Sequence, residues 1–131
     1  MKLAFIRIVS NDVTRLTRFY RELTAMAPNV INDAYVEFTA AGATLAISSQ
    51  RTMELYGAGA TTPRSNRTVI LDFQVDDVDR ERARLAPLVT EFVLEPTNQP
   101  WGNRSMLFRD LEGNLINFFA PIGREEREER K

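Results

Sequence analysis

The sequence repeats its own plan. Asp12-Val13 stands 65 residues ahead of Asp77-Val78, and the same spacing carries Ile6 to Leu71, Ile8 to Phe73 and Leu23 to Leu88. Later in each half, Phe38, Gly42 and Ile47 are tracked by Phe108, Gly113 and Phe118, with one residue inserted at the second turn. A repeated unit too small to cover its own sheet buries it against its copy. The duplication therefore limits the chain to two similar half-domains.

Periodicity fills in each half. Residues 3–9 alternate as a strand, and Asn11 or Asp12 is placed to cap a helix by accepting an orphan backbone N–H. Val13, Leu16, Tyr20 and Leu23 recur at helical spacing on one face, and Pro28 ends the region. Strand-like segments follow at about residue 30, at 34–40 and at 43–49, with a turn at Ala41-Gly42. The second half repeats this: a strand over 68–75, a cap at Asp76 or Asp77, and a helix from 78 to about 86. Strands over 91–95, 104–109 and 115–120 complete it, with turns at 96–102 and 110–114. Between the halves, residues 51–67 carry Gly57, Gly59, Pro63 and paired threonines and read as a linker opened by a helical turn at 51–56. Gly57-Ala58-Gly59 lacks the rest of a phosphate-loop pattern. The expected architecture is α+β, one domain over 1–122 made of two tandem βαβββ units, about 3–50 and 68–121, forming a curved sheet with helices on its outer face. Residues 123–131 hold only charged side chains beyond Gly123 and read as an exposed, frayed helical tail.

Composition removes whole classes of chemistry. No His and no Cys are present in the 131 residues, so there is no imidazole base, no Ser-His or Cys-His nucleophile pair, no disulfide, and none of the usual zinc sites. Lys2 and Lys131, at the two ends, are the only lysines, which argues against an interior Schiff base. A formal net charge of -1 supplies no field to gather nucleic acid or anionic membrane, so the Arg15, Arg18 and Arg21 stripe reads as a solvated helix face. No segment resembles a membrane span or a signal-peptide core, which leads to an expectation of cytoplasmic location.

Strand alternation separates a core face from an open one. Ile6, Ile8, Leu45, Ile47, Leu71, Phe73, Ile116 and Phe118 share the parity that the helices should cover. The opposite parity holds Phe5, Arg7, Thr44, Ala46, Ser48, Ile70, Asp72, Gln74, Leu115, Asn117 and Phe119. Aromatic, small and polar groups mixed on a face without a covering helix suit a ligand cleft or a subunit interface.

Two local motifs sharpen the reading. Pro100-Trp101-Gly102-Asn103-Arg104, followed by Phe108-Arg109-Asp110-Leu111-Glu112-Gly113-Asn114-Leu115-Ile116, resembles the last hairpin of the vicinal oxygen chelate superfamily, which includes glyoxalase and bleomycin-resistance proteins. Val9-Ser10-Asn11-Asp12-Val13 and Val75-Asp76-Asp77-Val78 resemble its strand-to-helix turns, and the likeness covers about residues 3–121. Leu111 stands where the family often has Pro. The resemblance implies metal ligands on the first and last strands of each half, and those positions here are Phe5, Ala46, Ile70 and Asn117. Three of the four carry no donor, and a lone carboxamide does not hold a transition ion in an apolar setting. No metal and no cofactor are expected.

Arg7 and Asp72 stand at equivalent places in the two halves. One reading is that they neutralise each other and set the register between halves. The other is that a polar ligand lies between them, with Arg7 on an anionic or carbonyl oxygen and Asp72 on a cation or N–H. Trp101 serves equally as a stacking wall or a plug beside the last hairpin. Phe5 and Phe119 suit an apolar floor, Asn117 a hydrogen bond to ligand or strand, and Ser48 and Gln74 share the open parity. Glu37 is the best carboxylate outside the Arg7/Asp72 pair, while Tyr20, Tyr35 and Tyr56 show no activated-phenol pattern. The favoured expectation is a metal-independent protein that sequesters a small organic ligand, such as an antibiotic or aromatic metabolite, in its cleft and works as a homodimer. The alternatives are a cofactor-free isomerase or lyase, with Asp72 as base and Arg7 as oxyanion stabiliser, and a dimeric interaction module whose cleft is closed by its partner chain.

Overall fold

The computed structural model describes residues 1–123. The charged tail expected beyond Gly123 lies outside the described residues. The chain divides into two compact units, Met1–Asn66 and Arg67–Lys131. In the first, β1 (Ile6–Ser10), α1 (Val13–Thr24), β2 (Asn29–Asn32), β3 (Tyr35–Ala40), β4 (Ala43–Ser49) and a short α2 (Gln50–Met53) follow in order. In the second, β5 (Ile70–Gln74), α3 (Val78–Leu85), β6 (Phe92–Asn98), β7 (Asn103–Arg109) and β8 (Leu115–Pro121) repeat the plan. The strands form two four-stranded sheets, ordered β1-β4-β3-β2 and β5-β8-β7-β6. The fold is α+β, a tandem of βαβββ units. Among the described residues no helix is long and apolar enough to cross a membrane.

α1 and α3 begin with the same device. The Asp12 carboxylate accepts the Arg15 backbone N–H, and the Asp77 carboxylate accepts that of Arg80, each at 3.1 Å. An Asp at this position satisfies an N–H that the helix itself leaves orphaned. α1 then buries Val13, Leu16, Tyr20 and Leu23 as their spacing predicts, together with Phe19, and it packs on β3 and β4. Tyr20 lies 6.3 Å from the Phe38 ring, centroid to centroid. In the second unit Phe118 touches Phe108 at 5.1 Å and Phe73 at 5.6 Å, which gives that sheet an aromatic centre.

Several expectations shift for identifiable reasons. β1 and β5 start at Ile6 and Ile70 rather than at 3 and 68, because their parallel partners start pairing at Leu45 and Leu115. Ile6, assigned to the core, is 41% exposed at the open end of an edge strand. β6 continues through Pro96, where a turn was expected. It is an edge strand with a register shift between Leu94 and Thr97, and such a site tolerates a residue without an N–H. The helical turn expected at 51–56 begins one residue earlier, with the Ser49 hydroxyl accepting the Thr52 N–H at 3.0 Å.

The motif after β7 is a scaffold. Asp110 is 7% exposed, and its Oδ1 accepts the backbone N–H groups of Glu112 and Asn114 at 2.8 and 2.9 Å. Its Oδ2 accepts the Asn114 side-chain amide at 2.9 Å, and Gly113 adopts φ +81°, the left-handed region that glycine enters without strain. Arg104 bridges β7 to α3 through both oxygens of Asp79, at 2.7 and 2.9 Å. That hydrogen-bonded contact holds the Asp79 carboxyl below its usual range.

Candidate functional site

Register across the first sheet brings distant residues into rows. Arg7 pairs with Ala46 and Ala46 with Glu37, while Val9 pairs with Ser48 and Ser48 with Tyr35. All six side chains share the face opposite α1, because residues directly paired across strands point the same way. Tyr35 and Glu37, two apart on β3, are linked by a 2.7 Å hydrogen bond from the phenol to the carboxylate. Burial first, and then this bond and the Glu37 charge, raise the Tyr35 phenol above its usual range, while Arg7 opposes them. Tyr35 is thus a neutral donor near pH 7.

The Arg7 guanidinium lies 5.6 Å from the Tyr35 ring centroid and 5.7 Å from that of Tyr56. Its Nη1 points at the Met53 sulfur, 3.5 Å away. α2 delivers Met53, and the turn after it delivers Tyr56, so the start of the expected linker forms part of this face. Aromatic faces orient a cation without neutralising it. Arg7 makes no ion pair with a described residue, and Glu37, the carboxylate in its row, accepts from Tyr35.

Ala46 and Ser48 share this face but are fully buried, as befits a central strand flanked by longer side chains. The Ser48 hydroxyl has no hydrogen-bond partner among the described residues. Phe5 precedes β1 and is 47% exposed.

In the second sheet, Asp72 pairs with Asn117 and Gln74 with Phe119. The Asn117 amide donates to Asp72 Oδ1 at 2.9 Å, while its own Oδ1 is buried without a partner among the described residues. Leu107 and Ser105 of β7 continue these two rows. Trp101 stands exposed on the turn between β6 and β7. Each sheet thus brings together its own predicted residues: Arg7 with Ser48 in one, Asp72 with Gln74, Asn117 and Phe119 in the other.

Sequence reasoning missed Tyr35, Met53 and Tyr56 and left the orientation of Glu37 open. A signal existed for one pair, since Tyr and Glu two apart on a strand share a face. Nothing in the spacing placed either beside Arg7.

Residues 2–118 match the sequence profile of the Glyoxalase/Bleomycin resistance protein/Dioxygenase superfamily. The chain belongs to this superfamily. Solved structures of similar fold include a glyoxalase/bleomycin resistance protein/dioxygenase from Nocardioides, 22% identical over 95% of this chain and 85% of that one, with a TM-score of 0.76. A family enzyme from Burkholderia phytofirmans PsJN, 15% identical, covers 93% of this chain and 100% of its own at a TM-score of 0.83. A glyoxalase-related enzyme from Fulvimarina pelagi is 19% identical over 95% and 94%, at 0.78. No curated protein matches the chain.

The metal that this superfamily implies has a poor donor set here. In the first unit, Phe5 and Ala46 carry no ligand atom, and Ala46 is sealed in the sheet. In the second, Ile70 carries none, and the Asn117 amide contributes one neutral oxygen while its nitrogen is committed to Asp72. One neutral oxygen without thiolate, imidazole or an adjacent carboxylate cluster does not retain a transition ion. Among the described residues no group of three or more His, Cys, Asp or Glu is gathered for a metal.

Proposed function

We propose that this superfamily member binds a small organic ligand on the open face of its first sheet, without a metal and without making or breaking a bond. The ligand carries an anionic or strongly polarised carbonyl oxygen beside an aromatic or apolar body, the chemistry of many antibiotics and aromatic metabolites. The observation that carries this reading is Arg7, a cation oriented by Tyr35 and Tyr56 and left without a carboxylate. A guanidinium held this way offers a planar pair of N–H donors to an incoming oxygen. The aromatic rings beside it offer stacking surface to the rest of the ligand, and the Tyr35–Glu37 bond holds one of them in place.

A thermal-shift screen of aromatic carboxylates and antibiotics, followed by calorimetry on the hits, tests this. Arg7→Gln is expected to weaken a hit about tenfold or more, the loss of one charge-assisted contact, with Arg7→Lys intermediate because the charge remains and the planar fork does not. Hits bound equally by wild type and Arg7→Gln would remove Arg7 from the site, and the proposal with it.

A further inference from the structure

We infer that the first unit carries a second small-molecule site, a groove between α1 and the β2–β3 turn, suited to a zwitterion with a carboxylate, an ammonium and an aliphatic body. The groove measures about 220 Å³ and lies on the helix side of the sheet, the face opposite Arg7. It exists because a helix about 10 Å across cannot cover four strands spaced roughly 4.8 Å apart. α1 packs on β3 and β4, and all four residues of β2 stay exposed.

The internal repeat shows what usually closes such a gap. In the second unit α3 packs on its edge strand β6. Arg82, the fifth residue of that helix, lays its guanidinium 3.6 Å from the Phe92 ring centroid and donates to both oxygens of Glu95. The fifth residue of α1 is Thr17. Its side chain is too short to reach across, and its hydroxyl is buried without a hydrogen-bond partner among the described residues. The place filled by an arginine in one copy is open in the other.

The lining selects the occupant. Val13, Val30 and Val36 give an apolar floor, and Val30 is 59% exposed. Arg18 and Arg21 stand on the helix side and Asp33 on the turn, and none of the three pairs with a described residue. Two free cations facing a free carboxylate across an apolar floor complement an α-amino-acid-like molecule. Its carboxylate meets the arginines, its ammonium meets Asp33, and its side chain covers Val30 and Val36. Thr17 supplies one further hydrogen bond.

The test is a methyl and amide NMR titration of the full chain with L-leucine, 4-methylpentanoate and 3-methylbutylamine as probes. Leucine is expected to give saturable shifts at Val30, Val36 and Thr17, and each probe lacking one charge to bind about tenfold more weakly. Arg18→Gln with Arg21→Gln should weaken leucine by about the same factor, and Thr17→Arg, restoring the residue of the other copy, should abolish its binding. The inference fails if leucine gives no saturable shift there, if 4-methylpentanoate binds as well as leucine, or if binding survives Thr17→Arg in a folded protein. Concentration-dependent shifts at Val30 and Ile31 without probe would assign the edge to a second copy of the chain and overturn it too. Shifts centred on Tyr35 and Tyr56 would place the probe on the Arg7 face instead.

Discussion

The phenol of Tyr35 is more than a strand side chain, because its proton is held by Glu37 and its ring is shared with Arg7. A tyrosine whose folded value lies above its unfolded one contributes stability that is complete below about pH 10 and is lost as pH rises through the folded value. Spectrophotometric titration should therefore show a phenol ionising above pH 10 that disappears in Tyr35→Phe. Glu37→Gln removes the negative charge and leaves only a neutral amide oxygen to accept from the phenol, so the same phenol should ionise at lower pH. An unchanged titration in Glu37→Gln would mean that burial alone governs Tyr35. The pair was half legible in advance, since the alternation of β3 puts both residues on one face but says nothing of the neighbouring strand.

The turn at 110–114 shows how one element can carry a family's most recognisable residues for structural reasons. Asp110 accepts from the Glu112 and Asn114 backbone N–H groups and from the Asn114 amide while nearly out of solvent, so Asp110→Ala removes the acceptor of all three bonds. Losing charge-assisted bonds at a buried site costs about 2–3 kcal/mol, read as a lower urea midpoint with an unchanged slope. A loss within about 0.5 kcal/mol, ordinary for a surface substitution, would show the turn to be held by Gly113 and the strands alone. The helix caps were readable from the sequence to within one residue, Asn11 or Asp12 and Asp76 or Asp77, because a cap is local. The far end of β6 was not, because whether Pro96 ends a strand depends on which side of the sheet edge its missing N–H faces.

Duplication acts on the whole chain, and it lets the two copies diverge. The positions that the superfamily uses for a metal hold Phe5 and Ala46 in one unit and Ile70 and Asn117 in the other. Divalent manganese, zinc or nickel at stoichiometric concentration is therefore expected to leave the melting temperature unchanged, and a chelator to do the same. A ligand present at one hundred times its dissociation constant stabilises by about 2.7 kcal/mol, so a marked rise on adding a divalent ion would restore a metal to the site. The copies differ elsewhere with similar consequence: Arg82 closes the edge of one sheet, while Thr17 leaves the other open.

The tandem βαβββ plan, both helix caps, the buried stripe of α1 and the poverty of metal donors all follow from residue order, because periodicity, capping and ligand chemistry depend on neighbours a few positions apart. The company of Arg7 does not. Its aromatic partners come from β3 and from the turn after α2, 28 and 49 residues away. Strand register and the path of the chain after β4 brought them there, and both are settled by packing between elements that no single stretch of sequence contains.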